Sequence, residues 1–378
     1  MKTTLFVALL AAASVANSAE PLSPELPYQA TRANPVNYEV DFSVVVTPPY
    51  KAELLKVWLP MPQSDFGQEV TEGELSSFPI RVEPQVASEP EYGNKFAYFE
   101  FHRPEGAQIV RHRFKIKVWE LRWNLDSEEI AAPANWPNTF DRYRQSDEQS
   151  VMVDERFTKL VREIVPQPGN PLNDLTTVMN WVNANLKYDH VDASLRASSV
   201  HALERRLGHC SDYHGFCASL GRAMGFPTRI TYGINTFAKN SPSHCKLEAF
   251  LPPYGWVSFD VSETQKMIDA IELDEGIDAL RKKRLIEAAN KRLASGFRDN
   301  TWFCQTRGTD YELVPPAQKR VPVVRTAYIE ADGVALEDPD PANKNQRKFS
   351  WMTVHEYKAD KTVTYPFKDV ATLSAKDE

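Results

Sequence analysis

The sequence predicts an α+β fold: an antiparallel β-sandwich, followed by helices packed on a second antiparallel sheet. Three observations predict it. Residues 38 to 118 alternate apolar and polar side chains with a period of two. Residues 126 to 225 carry apolar stripes at helical spacing. Residues 229 to 260 return to strand-like runs around one tight turn. The 378 residues are enough for two or three domains with buried cores.

The chain opens with the pattern of a signal peptide over residues 1–19. Lys2 is the charged start, and Leu5 to Ala16 is an apolar run too short to span a bilayer. Asn17, Ser18 and Ala19 are small, which puts cleavage near Ser18 or Ala19. The expected address is the periplasm of a Gram-negative host, or secretion from another host. No cysteine follows the apolar run and no later segment is long and apolar enough to cross a membrane. No membrane anchor is therefore expected after cleavage.

The β-sandwich is expected over 36–125, after a Pro-rich stretch from Pro21 to Pro35. Tyr38, Val40, Phe42, Val44 and Val46 form one alternating set. Leu55 to Pro62 and Phe96 to Phe101 read as further strands. Val110, Phe114, Ile116 and Val118 alternate with Arg111, Arg113, Lys115 and Lys117, giving one buried and one basic face. That face is read as solvated strand surface. With a net charge of −7 and no basic run above the background, no nucleic-acid partner is expected.

A helical core is expected over 126–270. Phe157, Leu160, Val161 and Ile164 form one stripe. Pro171 stands at a first helical position, ahead of Leu172, Leu175, Val178, Met179, Val182 and Leu186. Ser198 or Ser199 caps a shorter helix running to Leu207, and Gly208 is read as its stop. The next helix starts at Cys210, carries Tyr213, Phe216, Cys217, Leu220, Ala223 and Met224, and stops at Gly225 and Pro227. Arg229 to Ile234 is then a strand.

The position of Cys210 matters chemically. A thiol is a nucleophile only as its thiolate. A helix N-terminus and a neighbouring imidazole both favour that form. His244 follows on a predicted strand and Asp260 at the end of the next, so cysteine, base and orienting acid occur in triad order. Pro252 to Gly255 is dense in turn formers. Parity then sets a condition. A four-residue loop pairs Leu251 with Trp256 and sends Asp260 to the wrong face for His244. A three- or five-residue loop centred on Pro253 places Asp260 opposite Lys246, on the face of His244. The triad reading requires the odd loop or a bulge.

Four stretches resemble the core of the transglutaminase-like superfamily: Gly208-His209-Cys210-Ser211-Asp212-Tyr213, Arg222 to Arg229, His244 through Glu248, and Gly255-Trp256-Val257 through Asp260. The resemblance covers roughly residues 130 to 270, about a third of the chain. The resemblance implies a papain-like α+β core, with Cys210 as nucleophile, His244 as base and Asp260 as the acid that orients it. It also implies a β-sandwich ahead of the core, as in many bacterial relatives, and it extends to Arg307-Gly308-Thr309-Asp310. One position departs from the pattern. Relatives often carry an aromatic two residues after the histidine, where this chain has Lys246.

The activity implied is attack on an amide of a peptide or protein, through a thioester that either water or an amine resolves. No cofactor is required. The Cys210 amide is one oxyanion donor. Relatives supply a second from upstream of the cysteine, for which Trp181, Asn185 and Tyr188 are candidates. His209 and Glu248 are candidate cleft residues, Glu248 equally an exposed strand residue, and Trp256 is read as core. His214, one turn from Cys210, is read as packed. No metal site is expected, because the His and Cys spacings lack the close pairs of a structural zinc site. In an oxidising compartment Cys245 could pair with Cys217 or with Cys304. A non-catalytic scaffold or binding protein of the same fold is the alternative function.

Beyond the core, 271–370 is expected to hold a charged helical segment and a β-rich extension, with a polar loop over 335–348. Residues 371–378 are expected to be a disordered tail.

Overall fold

The computed structural model describes residues 22–237, 242–337 and 350–374. The expected signal peptide lies outside these residues, as does most of the expected loop over 335–348.

Six strands come first: β1 (Thr31–Thr47), β2 (Leu54–Met61), β3 (Gln68–Phe78), β4 (Gln85–Ser88), β5 (Lys95–His102) and β6 (Gln108–Arg122). β1 and β6 pair antiparallel, with Val40 opposite Phe114 and Val44 opposite Val110. Because side chains alternate with period two, this register sends both apolar sets to one face. β2 and β5 cover that face, and Leu55, Val57, Leu59, Phe99 and Phe101 complete a single apolar core. The result is the β-sandwich that the sequence predicts. Its basic face is a mixed-charge ladder. Arg111 and Arg113 both bind Asp41 on β1, and Lys117 stands opposite Glu69 on β3.

The helical layer contains α1 (Glu155–Ile164), α2 (Pro171–Asn185), the short strand β7 (Lys187–Tyr188), α3 (Ser199–Arg205), β8 (Leu207–Gly208) and α4 (Cys210–Ala223). Side chains cap α2 and α3, Ser198 being one of the two caps expected for α3. Asn170 accepts a hydrogen bond from the Leu172 amide at 3.0 Å, and Ser198 accepts one from the His201 amide at 3.2 Å. Gly208 is not the stop of α3. Arg206 ends that helix in the left-handed region, at φ 53°. Gly208 serves close packing instead: a Cβ there would fall 2.4 Å from Cβ of Asp212.

Next come β9 (Thr228–Asn235), β10 (Ser243–Leu251), β11 (Gly255–Phe259), α5 (Val261–Leu273), α6 (Ala279–Ala294), β12 (Phe297–Arg298) and β13 (Trp302–Arg307). Four of these strands form an antiparallel sheet in the order β11-β10-β9-β13. α4 packs on β9 and β10, with α1, α2, α3 and α5 around it. β9, β10 and β11 are buried along their whole length. The reason is that Ile234 and Phe303 also reach the sandwich core, where the Phe303 ring meets Phe114 edge-on at 5.6 Å.

The last strands are β14 (Tyr328–Ala331), β15 (Val334–Ala335) and β16 (Ser350–Ala359), and α7 (Ala371–Ser374) ends the described chain. β14 pairs with β2, β16 with β1 and β12 with β6. Both sheets of the sandwich are therefore completed from the far end of the chain. Within the expected β-rich extension, Tyr311 makes only a single bridge, with Val321. Residues 371–374, expected to be disordered, form a helical turn because Leu373 buries itself against Met267, Ile271 and Leu285. Residues 375–378 lie outside the described chain. Among the described residues no helix is long and apolar enough to cross a membrane.

Candidate active site

Cys210 is the first residue of α4, so its amide has no partner within the helix. The start of α4 is anchored just ahead of it. The His209 amide donates to Asp212 Oδ2 at 3.0 Å, and the Ser194 amide donates to the same oxygen at 3.1 Å.

The hairpin has the odd loop. Leu251 pairs with Gly255 across three residues, and Leu247 stands opposite Phe259. One step further places Asp260 opposite Lys246, on the face of His244. His244 Nε2 lies 2.8 Å from Asp260 Oδ2. The other carboxylate oxygen accepts the Glu263 amide at 3.1 Å, so Asp260 also caps α5. The backbone of His244 is fixed as well. Its carbonyl accepts the Trp302 indole N–H at 3.1 Å. Gly233, directly opposite, makes room for that indole: a Cβ there would sit 2.6 Å from the Trp302 ring and 1.9 Å from the Phe303 carbonyl oxygen.

The thiol is enclosed by polar neighbours. His209 Nδ1 lies 3.1 Å from Cys210 Sγ. His244 and Cys245 stand within hydrogen-bonding reach of the same sulfur. His244 Nδ1 has no hydrogen-bond partner of conventional geometry among the described residues, so it is the ring nitrogen left to face the thiol. Burial alone would raise the Cys210 pKa. The hydrogen bond from Cys245, the charge and hydrogen bond of His209 and the hydrogen bond of His244 outweigh it and hold the thiol well below its usual range. For His244, burial pulls the pKa down, but Asp260 outweighs it and the ring is pushed up to about 9. Asp260 is held well below the usual carboxylate range, against burial, by His244 and Lys246. The arrangement favours a thiolate beside an imidazolium.

Two further contacts were not legible in the sequence. Lys246 Nζ lies 2.5 Å from Asp260 Oδ2 and 2.9 Å from Asp299 Oδ2. His214 is packed, as expected, but specifically so. Its Nε2 accepts the Val261 amide at 3.1 Å, which leaves Nδ1, 3.4 Å from Cys245 Sγ, to carry the proton.

The remaining predicted residues divide. The Tyr188 hydroxyl lies within hydrogen-bonding reach of the Cys210 amide, and its ring meets those of His209 and Tyr213 at 5.8 and 5.7 Å. His209 is buried against both the thiol and the His190 ring, 4.8 Å away. Trp181 is elsewhere, packed against Phe216 under the Arg206 guanidinium, nearly two turns along α4 from Cys210. Asn185 bonds back to the Trp181 carbonyl. Glu248 is neither in the cleft nor exposed. It is buried, 2.7 Å from Arg229 Nε, and accepts the Tyr28 hydroxyl at 2.6 Å. Trp256 is core, beneath the Arg229 guanidinium at 4.0 Å. All four cysteines are unpaired and buried, so Cys245 is joined to neither Cys217 nor Cys304. No cluster of three or more metal-ligand side chains occurs among the described residues.

Comparison with known proteins finds one match to this region and others along most of the chain. A family model described as the transglutaminase-like superfamily matches residues 158–261. An uncharacterized protein of Haemophilus influenzae is 21% identical over 383 residues, covering 90% of this chain and 97% of its own. A crystal structure from Cytophaga hutchinsonii, provisionally described as a cysteine protease, superposes with a TM-score of 0.61 at 14% identity. That match covers 89% of this chain and 95% of the other. The matched core, residues 158–261, carries the helix start at Cys210 and the hairpin of His244 and Asp260, and it is similar to the transglutaminase-like superfamily.

Proposed function

We propose that the protein is a cysteine-dependent acyl-transfer enzyme that hydrolyses an amide bond of a peptide or protein. The observation that carries this reading is one buried thiol at a helix start, within reach of a histidine whose far nitrogen lies 2.8 Å from a buried carboxylate. The fold likeness to a protein provisionally described as a cysteine protease supports hydrolysis as the outcome.

In this reading the Cys210 thiolate attacks the amide carbon. The Cys210 amide and the Tyr188 hydroxyl meet the developing oxyanion. The His244 imidazolium gives its Nδ1 proton to the departing amine, and a thioester to Cys210 remains. Neutral His244 then takes a proton from water as the water attacks the thioester. The acid departs and the thiolate–imidazolium pair is restored.

The test is the rate of iodoacetamide alkylation of Cys210 against pH, read by peptide mass spectrometry, in wild type and His244→Ala. The expected result is fast alkylation well below pH 8 in wild type and slow alkylation in the variant. A wild-type profile like that of a free thiol would leave the scaffold reading in its place. A second assay then follows peptide fragments or ammonia against incorporation of a labelled primary amine. Amine incorporation without hydrolysis would make the enzyme a crosslinker.

A further inference from the structure

The mechanism above does not use Lys246. Its ammonium is fully buried and bridges Asp260 and Asp299 at 2.5 and 2.9 Å. Asp299 is itself held in place, its Oδ1 accepting the Thr301 amide at 3.0 Å and the Thr301 hydroxyl at 2.5 Å. The rings of Trp302 and Phe367 lie 5.2 and 5.1 Å from the ammonium. His244 binds the same Asp260 oxygen as Lys246.

A cation that shares an oxygen with an imidazole has two opposed effects. It keeps the carboxylate ionised and the oxygen fixed. It also cancels, as felt by the ring, the negative charge that would stabilise an imidazolium. A second carboxylate on the cation removes the second effect and keeps the first.

We propose that Lys246 and Asp299 act together as positioning residues for the Cys210–His244 pair: Lys246 fixes the Asp260 oxygen against the imidazole, and Asp299 neutralises Lys246 so that Asp260 still supports the imidazolium. This rests on the thiol-enzyme reading above. The other groups around His244 are Glu263, 4.0 Å from Nδ1 and bound to Lys266 at 2.8 Å, the Cys210 and Cys245 sulfurs, and the His214 ring at 6.1 Å. Burial lowers the pKa of His214 to about 4, so that ring is neutral. Arg292 acts on both Asp260 and Asp299, and Lys368 lines the small cavity beside them. All of these are common to wild type and variants, so a difference between variants isolates the lysine and its second carboxylate.

The test is the alkylation profile of the full chain in wild type, Asp299→Asn, Lys246→Met and the double variant. The reactive ion pair exists between a lower midpoint, where the thiol ionises, and an upper one, where the imidazolium loses its proton. Asp299→Asn leaves Lys246 uncancelled. The uncancelled cation disfavours the imidazolium and favours the thiolate, so both midpoints fall, the upper by about one pH unit and the lower by less. Lys246→Met leaves two carboxylates, and both midpoints rise. The double variant returns both midpoints toward wild type. Single variants that shift in the same direction, or a double variant displaced as far as either, overturn the proposal.

Removing one member of a buried pair can unfold a protein, whereas removing both leaves no uncompensated charge. If either single variant does not fold, the double variant and Lys246→Arg, which keeps the charge, carry the test. Both are expected to keep the wild-type midpoints, and displacement of either overturns the proposal. A wild-type thiol that alkylates ordinarily, unaffected by His244→Ala, removes the thiol-enzyme reading itself. An ion-pair profile in wild type with no opposed shifts removes only this inference.

Discussion

At the scale of single residues, the oxyanion role proposed for Tyr188 can be tested apart from activation of the thiol. Its hydroxyl lies within hydrogen-bonding reach of the Cys210 amide. Tyr188→Phe keeps the ring against His209 and Tyr213 and removes only the hydroxyl. Loss of one oxyanion donor costs on the order of a hundredfold to a thousandfold in kcat. We expect that loss with little change in KM, and an alkylation rate close to wild type because the thiolate is untouched. Equal loss in both assays would mean that Tyr188 acts by holding His209 in place. Cys210, His244 and Asp260 were legible because each is a recognisable chemical type at a recognisable structural signal. Glu248 was not, because its partner Tyr28 lies 220 residues away. Nor was Asp299, which meets Lys246 only after two helices have returned the chain to the site.

At the scale of elements, two constraints set the site: the register of the β10–β11 hairpin and the start of α4. The loop length of 252–254 decides which face Asp260 occupies, and alternation plus turn chemistry made that condition readable in advance. The start of α4 was readable in place but not in cause. Gly208 looked like the end of the preceding helix, whereas it is a point of close approach to Asp212. Gly208→Ala therefore tests the anchor. The added methyl displaces the Asp212 side chain, which holds the His209 and Ser194 amides. Crowding of this kind costs typically about 1–3 kcal/mol. We expect a lower midpoint in urea denaturation together with slower Cys210 alkylation. Loss of stability with an unchanged thiol would place the anchor of α4 elsewhere.

At the scale of the whole molecule, strand existence was local information and strand partnership was not. β14 and β16 complete sheets begun some 300 residues earlier, which no period-two pattern can reveal. The packing that results carries its own dependence on pH. His112 lies on β6 and His214 on α4, and both are buried. Burial lowers each pKa from 6.5 to about 4. The unfolded chain takes up these protons as pH falls through about 6.5, and the folded chain only near 4. Stability is therefore fully present above the unfolded value and is lost as pH falls between the two. For His112 alone the loss is on the order of 3 kcal/mol. Thermal melts should show Tm falling from pH 7 to pH 4. His112→Leu, which has no proton to gain, should flatten part of that fall. His112 serves this comparison better than His214 because its ring stacks on Phe114 inside the sandwich, 4.5 Å between centroids, away from the thiol. A slope unchanged by the substitution would show that the acid sensitivity arises from other groups, with the depressed carboxylates Asp65 and Asp260 next in line.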